Sequence, residues 1–580
     1  MKAFTEPLLS LAGFEEMTKT AEKSSGLISV TGCIDAQKSQ MIYAFGGHRK
    51  NKLIVTFGEQ KAKELYDEYS FFDKEVVYYP SKDVLFYQSD IRGNLLTAER
   101  IRALKAIREQ ERVTLVTTFD ALMNTMAPIE KMWENVLTLE QGQLLDLKEI
   151  QAALIRMGYE KEYQVQTMGQ FSVRGGILDV FPLTEENPIR IELWGDEIDT
   201  IRYFDCESQK SIENIDRVSI YPAAEIVLSD EEKAGGIEKL KAEAKRVSDK
   251  LRKQMKTEEA HRVTVMADEL TEEGGELSMD AGMGAFLSYF FDERVGLLDY
   301  FKPSDSLIFF DELTRCTEQG KLTETEFSES MKQRLAMGYI LPGQMNGLFT
   351  EKEIVAKLGK YSCIALGALD NKANGLHQLG SYGIHCQSVS PYNNSFELLI
   401  KDLKRYKKNG YRVILLSGSR TRAKRLSEDI TDQGITCFYT ENYDHELFEG
   451  QIMVCYGKVR RGFEYPILKF AVITESDIFG AQQKKKKRHR TYEGEKIQSF
   501  TDLSVGDYVV HENHGLGIYR GIEKLEVDKK VKDYIKIEYQ GGSNLYILAT
   551  QLDMIQKYAG KDARKPKLNK LGGQGWTRAK

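Results

Sequence analysis

Proline is scarce in this chain of 580 residues, at 11 positions, which excludes extended proline-rich stalks. Cysteine is sparse and scattered. The seven (Cys33, Cys206, Cys316, Cys363, Cys386, Cys437 and Cys455) are odd in number and never form a C-x-x-C pair. That argues against a zinc ribbon or a disulfide scaffold, and it predicts a reducing, cytoplasmic setting. No run approaches the roughly 20 apolar residues that cross a bilayer, and Met1-Lys2-Ala3-Phe4-Thr5 has no signal-peptide core, so no membrane partner is expected. An excess of positive charge is missing too, with a net charge of −6. A protein that wrapped DNA with its whole surface would be basic, so DNA is expected to bind weakly and locally, and protein partners come first.

What is present is a multidomain chain: 41% hydrophobic and 29% charged residues over a length that exceeds a single core. Between 26 and 125, short β-branched runs (27–30, 53–57, 76–79 and 113–117) alternate with helical stretches such as Glu99–Glu109. This predicts a parallel sheet covered by helices. Near residue 128 the pattern changes. Asp146 is placed to cap a helix over Leu147–Met157, with Leu147, Ile150, Leu154 and Met157 on one face and Gly158 to end it. Strands at 176–181, 189–194 and 200–204 make an inserted α+β unit, and a helical region (231–257) follows. The strand at 307–310 then returns the chain to the parallel sheet. Residues 361–475 form a second βαβ-like block, with strands near 362–366, 412–417, 452–455 and 468–473. The basic run 482–490 is a linker. Alternation at 508–549 predicts a small antiparallel β-barrel, closed by a short helix over 550–558.

The most chemically suggestive segment is Gly32-Cys33-Ile34-Asp35-Ala36-Gln37-Lys38-Ser39, directly after a strand. A phosphate-binding loop needs G-x-x-x-x-G-K-[ST] here, and Gln37 stands where the second glycine belongs. That glycine lets amides curl around phosphates in a conformation that a Cβ opposes. Leu307–Phe310 followed by Asp311-Glu312 has the form of a strand with a magnesium-holding acidic pair. With Gln37 in place the loop is degenerate and no catalytic residue is assigned. Arg460-Arg461 is a weak imitation of an arginine finger. His511 and His514 lack a third ligand at suitable spacing, so no metal site is assigned.

Two stretches carry a family resemblance. The first, Gly169–Pro182 continuing through Ile189–Asp199, resembles the domain shared by the excinuclease subunit UvrB and bacterial transcription-repair coupling factors (Mfd). The resemblance implies that Arg174, Arg190 and Trp194 contact UvrA; surface ion pairs of the arginines with Asp179 and Glu192 are the alternative. Guanidiniums and an indole suit a partner hot spot because they gain most when desolvated together. The second stretch, Val505–Ile522, is similar to the polymerase-interacting barrel of the same family and to CarD-type transcription factors. It implies contact with the β subunit of RNA polymerase through Val510, His511, Glu512, His514 and Leu516, on a strand left near a sheet edge.

The resemblance to coupling factors runs from about residue 8 to the end. It implies a degenerate P-loop α/β domain in two parts (1–127 and 216–350) around an inserted UvrA-binding α+β domain (128–215). A small α/β domain (351–480), a basic linker (481–499), the barrel (500–560) and the start of a linker to the motor (561–580) follow. The UvrB hairpin that probes DNA is short here, between Tyr79 and Asn94. The intact family translocates DNA with ATP and magnesium. No helicase motif series is found in this chain, so neither cofactor is expected in it and an adaptor is expected instead of an enzyme. The alternative is a UvrB-like DNA-dependent ATPase.

Overall fold

The structure, a computed structural model, describes residues 1–45, 49–82, 93–206, 208–269, 283–480, 494–496, 505–511, 515–527, 530–540, 543–548 and 555–558. Glu512, His514, the basic run 482–490, residues 561–580 and most of Tyr79–Asn94 lie outside them. The chain divides into two compact units. One holds Met1–Lys82, Arg102–Ile129 and Glu293–Gln483; the other holds Asp83–Ile101, Glu130–Asp292 and Lys484–Lys580.

The first unit is built on a seven-stranded sheet in the order 378–383, 26–31, 362–366, 306–311, 51–56, 113–118 and 77–79, parallel throughout. Strands 26–31, 113–118 and 306–311 are buried along almost their whole length, as expected where helices cover both faces of a parallel sheet. One expectation is corrected here. Strand Ser362–Leu366 does not belong to the second block but lies between 26–31 and 306–311 in the first sheet. A short, continuously apolar run states that it is buried, not which sheet buries it.

A six-stranded sheet completes this unit, in the order 387–388, 463–465, 470–474, 412–417, 452–456 and 438–439. One apolar core joins the two sheets, running from Phe4, Ile28 and Phe71 to Ile414, Met453 and Phe470. Arg460, the imitation arginine finger, pairs with Glu64 of helix Glu59–Tyr69 at 2.7 Å.

In the second unit, six strands lie in the order 211–215, 197–204, 189–194, 177–180, 170–174 and 160–161, antiparallel except for the last pair. Asp146 caps helix Leu147–Arg156 by accepting from the amides of Lys148 and Glu149, and Gly158 follows with φ 87°. Ile150, Leu154 and Met157 pack on Phe171, Leu178, Ile189 and Ile191, so this sheet has one apolar and one polar face.

The C-terminal sheet runs 494–496, 555–558, 508–511, 515–527, 530–538 and 544–548, closing on Val509, Tyr519, Ile535, Ile537 and Tyr539. Two expectations fail in it. Residues 555–558 are a strand and not the end of a helix, because Ile555 fills this core and its backbone pairs with 509–511. That pairing also removes the edge: strand 508–511 is flanked on both sides, and the outer strands are 494–496 and 544–548.

Candidate protein-docking site

The polar face of the sheet at 160–215 is set by register. Ser172, Asp179, Arg190 and Arg202 lie in one cross-strand row, while Arg174, Ile177, Glu192 and Thr200 lie in the next. Gly175-Gly176 makes the two-residue turn that ends one strand at Arg174, and Gly195-Asp196 makes the turn that ends another at Trp194. Gly175 (φ 61°) and Gly195 (φ 66°) adopt the left-handed backbone such hairpins require.

Both arginines converge on one carboxylate. Arg174 Nη2 donates to Asp179 Oδ2 at 2.7 Å, while Arg190 donates from Nε to Oδ1 at 2.7 Å and from Nη2 to Oδ2 at 2.9 Å. The Asp179 side chain is 1% exposed. Arg190 also donates to Gln209 Oε1 at 2.8 Å and stacks on Phe204, 4.3 Å from its ring centre. The hydrogen bonds to Asp179 push the Arg190 pKa further up. Glu192 instead accepts from Arg202 and from Thr200. The alternative of ion pairs is thus met at Asp179, which takes both guanidiniums, but not at Glu192, and the Arg174–Asp179–Arg190 cluster keeps one positive charge in excess. Trp194 stands 84% exposed at the hairpin tip. Arg202, which restrains Glu192, was missed in the sequence; its signal was its cross-strand position opposite Arg190.

The expected barrel is, among the described residues, a sheet with two outer strands; in it Val510 and Leu516 are buried against one another beside Tyr508, and His511 is buried as well. On the outer strand 544–548 and its neighbour, Lys536 lies opposite the half-buried Tyr546, with the ammonium 5.7 Å from the ring centre, and Asn544 is exposed opposite Glu538.

In the loop at 32–39 the groups that a phosphate would meet are engaged within the chain. A Cβ on Gly32 (φ 78°) would fall 2.1 Å from the Ile384 carbonyl oxygen. The Gly32 and Cys33 amides donate to Ala368 O (3.2 Å) and Gly367 O (3.0 Å), so this chain's own carbonyls take donors that a phosphate would need. Gln37 is fully buried in helix Asp35–Phe45. Lys38 Nζ lies 2.5 Å from Asp311, 3.0 Å from Glu312 and 3.1 Å from Asp35, with its side chain 1% exposed. Thr56 Oγ1 donates to the second Asp311 oxygen at 3.1 Å. Burial opposes the lysine's charge, but Asp311, then Glu312 and Asp35, outweigh it and push its pKa up. Ser39 is buried and turned from the surface.

Glu475 and Asp477 also serve the backbone. Glu475 accepts from Gly418 N (2.5 Å) and Ser417 Oγ (2.9 Å), while Asp477 accepts from Gly462 N (2.7 Å) and Thr474 N (2.8 Å). Among the described residues no group of three or more His, Cys, Asp or Glu is placed to hold a metal ion, and no helix is long and apolar enough to cross a membrane.

A model of the UvrB interaction domain matches residues 137–226, and a model of the CarD-like/TRCF RID domain matches residues 503–559. The chain thus joins a domain of the excision-repair class to one of the transcription-factor class. Its whole length points the same way. It is 32% identical over 530 residues to a transcription-repair-coupling factor of Bacillus subtilis (strain 168), covering 91% of this chain and 44% of that protein. Transcription-repair-coupling factors of Staphylococcus haemolyticus (31% over 569 residues; 95% and 47% covered) and Staphylococcus aureus (strain MRSA252; 30% over 575 residues; 98% and 48% covered) match similarly. The chain is thus similar to transcription-repair-coupling factors over nearly all of its own length and spans about half the length of those it matches.

Proposed function

We propose that this chain is a two-ended adaptor in transcription-coupled repair, holding UvrA through the domain at 137–226 and the β subunit of RNA polymerase through the barrel. One observation carries the reading: a UvrB interaction domain and a CarD-like/TRCF RID domain stand on one polypeptide. On the repair side, the Arg174–Asp179–Arg190 cluster and Trp194 supply the kind of anchors that dominate interfaces, a guanidinium held in place and an exposed indole. On the transcription side, strand 544–548, an outer strand among the described residues, offers an edge for pairing in place of 508–511. The self-paired Lys38 favours an adaptor over a UvrB-like ATPase, and ATP and magnesium are given no role in this chain.

The test is capture of purified UvrA and RNA polymerase by the intact chain, run beside a phosphate-release assay. Trp194→Ala is expected to weaken UvrA by about 2 kcal/mol or more and leave polymerase capture unchanged. Capture of neither partner, or phosphate release abolished by Lys38→Ala, would favour the ATPase reading instead.

A further inference from the structure

The hairpin carrying Trp194 borders a second feature. Residues 142–145 run against its outer strand, with Gly142 N donating to Ile198 O (2.8 Å), Ile198 N to Gln143 O (2.9 Å) and Leu145 N to Asp196 O (2.8 Å). Leu144 lies opposite Glu197, and Glu197 lies opposite Trp194, so the three share one face. Leu144 is 74% exposed on one side of Glu197, and the still more exposed indole lies on the other. Next to them opens a cleft of about 680 Å³. Trp194 forms one wall, and Glu140, Glu197, Asp199 and Asp216 supply carboxylates around it. Arg217, the one basic group in the lining, is tied to Glu140 at 3.1 Å. Four carboxylates against one guanidinium leave the lining with three net negative charges.

An indole face standing in water beside unbalanced carboxylates is a receptor for an organic cation. The ring attracts the charge through its quadrupole, and the carboxylates accept its N–H groups. A guanidinium suits such a lining because its planar face can stack on the indole while its fork of N–H groups meets carboxylates. The neighbouring Arg174–Asp179–Arg190 face carries the opposite excess, one positive charge.

We propose that the cleft receives an arginine-bearing segment of the protein partner that docks on this domain. The surface is then two-signed: a basic patch for the partner's acids, and beside it an acidic, aromatic slot for the partner's base. Such alternation fixes register and rejects wrong partners more than it adds affinity. The inference rests on the adaptor reading for the identity of the partner, but not for the chemistry of the slot.

Two measurements on the intact chain test it. The first is fluorescence anisotropy of a labelled penta-arginine peptide, with penta-glutamate as the control. The wild-type chain is expected to bind penta-arginine alone, and both Trp194→Ala and the double variant Glu197→Gln/Asp216→Asn are expected to lose about tenfold or more in affinity. Circular dichroism and thermal midpoint confirm that each variant is folded. Penta-arginine binding that both folded variants retain, or none in the wild type, overturns the proposal. The second is UvrA capture by wild type and double variant. Equal capture shows that this partner does not use the slot and also overturns the proposal. Penta-arginine binding with the expected losses, but no UvrA capture by the wild type, instead removes UvrA as the partner and leaves the slot's chemistry standing.

Discussion

Lys38 shows how one side chain can close a site. Its ammonium is surrounded by Asp35, Asp311 and Glu312, so a charge that could have met a phosphate is neutralised internally. Removing one partner of a buried ion pair strands the other. Lys38→Ala should therefore lower unfolding stability by about 3–5 kcal/mol, read by urea denaturation, whereas Asp35→Asn, at a largely exposed carboxylate, should cost far less. A second residue gives a pH signature. Burial pushes Glu68 up to about 7, against the pull of Arg460 and Lys61. Because the folded value lies above the ordinary 4.5, its contribution is fully present below about pH 4.5 and is lost as pH rises through about 7. Glu68→Gln should remove that slope and raise the thermal midpoint at pH 8 relative to wild type, by up to about 3 kcal/mol in stability terms. Equal midpoint shifts at pH 5 and pH 8 would argue against it.

Among the elements, the C-terminal sheet separates packing from docking. Val510 is buried with Leu516, so Val510→Glu forces a charge into an apolar contact and should destabilise the barrel by at least about 2 kcal/mol. Tyr546→Glu, on the open strand 544–548, should leave the melting profile near wild type and weaken polymerase capture. Differential scanning calorimetry beside the capture assay distinguishes the two; loss of polymerase only with the unfolded Val510 variant would move the docking surface off this edge. These same elements show what sequence can and cannot convey. The strands at 26–31, 51–56, 113–118 and 306–311 were legible because short runs of apolar and β-branched residues must be buried. Trp194 and the two arginines were singled out by resemblance alone, and the arginines' sharing of Asp179 was not foreseen, since it depends on cross-strand register. Ile555–Tyr558 was misjudged as helix because four residues carry too little periodicity to choose between the two patterns. The acidic cleft was invisible for another reason: its lining joins segments near 140, 197 and 216.

At the scale of the whole molecule, charge sets the partners. A net charge of −6 gives little general attraction to phosphate. The intact chain should hold a random-sequence duplex no tighter than about 1 μM at physiological salt, measured by anisotropy. Nanomolar retention that falls steeply with salt would reveal a concentrated basic surface and overturn the protein-first reading. The two compact units each draw on three separate segments of chain, so sequence neighbours are often structural strangers.

That interleaving reaches into biosynthesis. Strand 26–31 is flanked on both sides by strands, 362–366 and 378–383, that leave the ribosome much later. At roughly 5–20 residues per second, the roughly 330 residues between the first strand and its earliest neighbour take about 17 to 66 s to translate. Throughout that interval an apolar ribbon waits without its lateral partners. The nascent chain is thus a natural client for a holdase until its seventh sheet strand emerges.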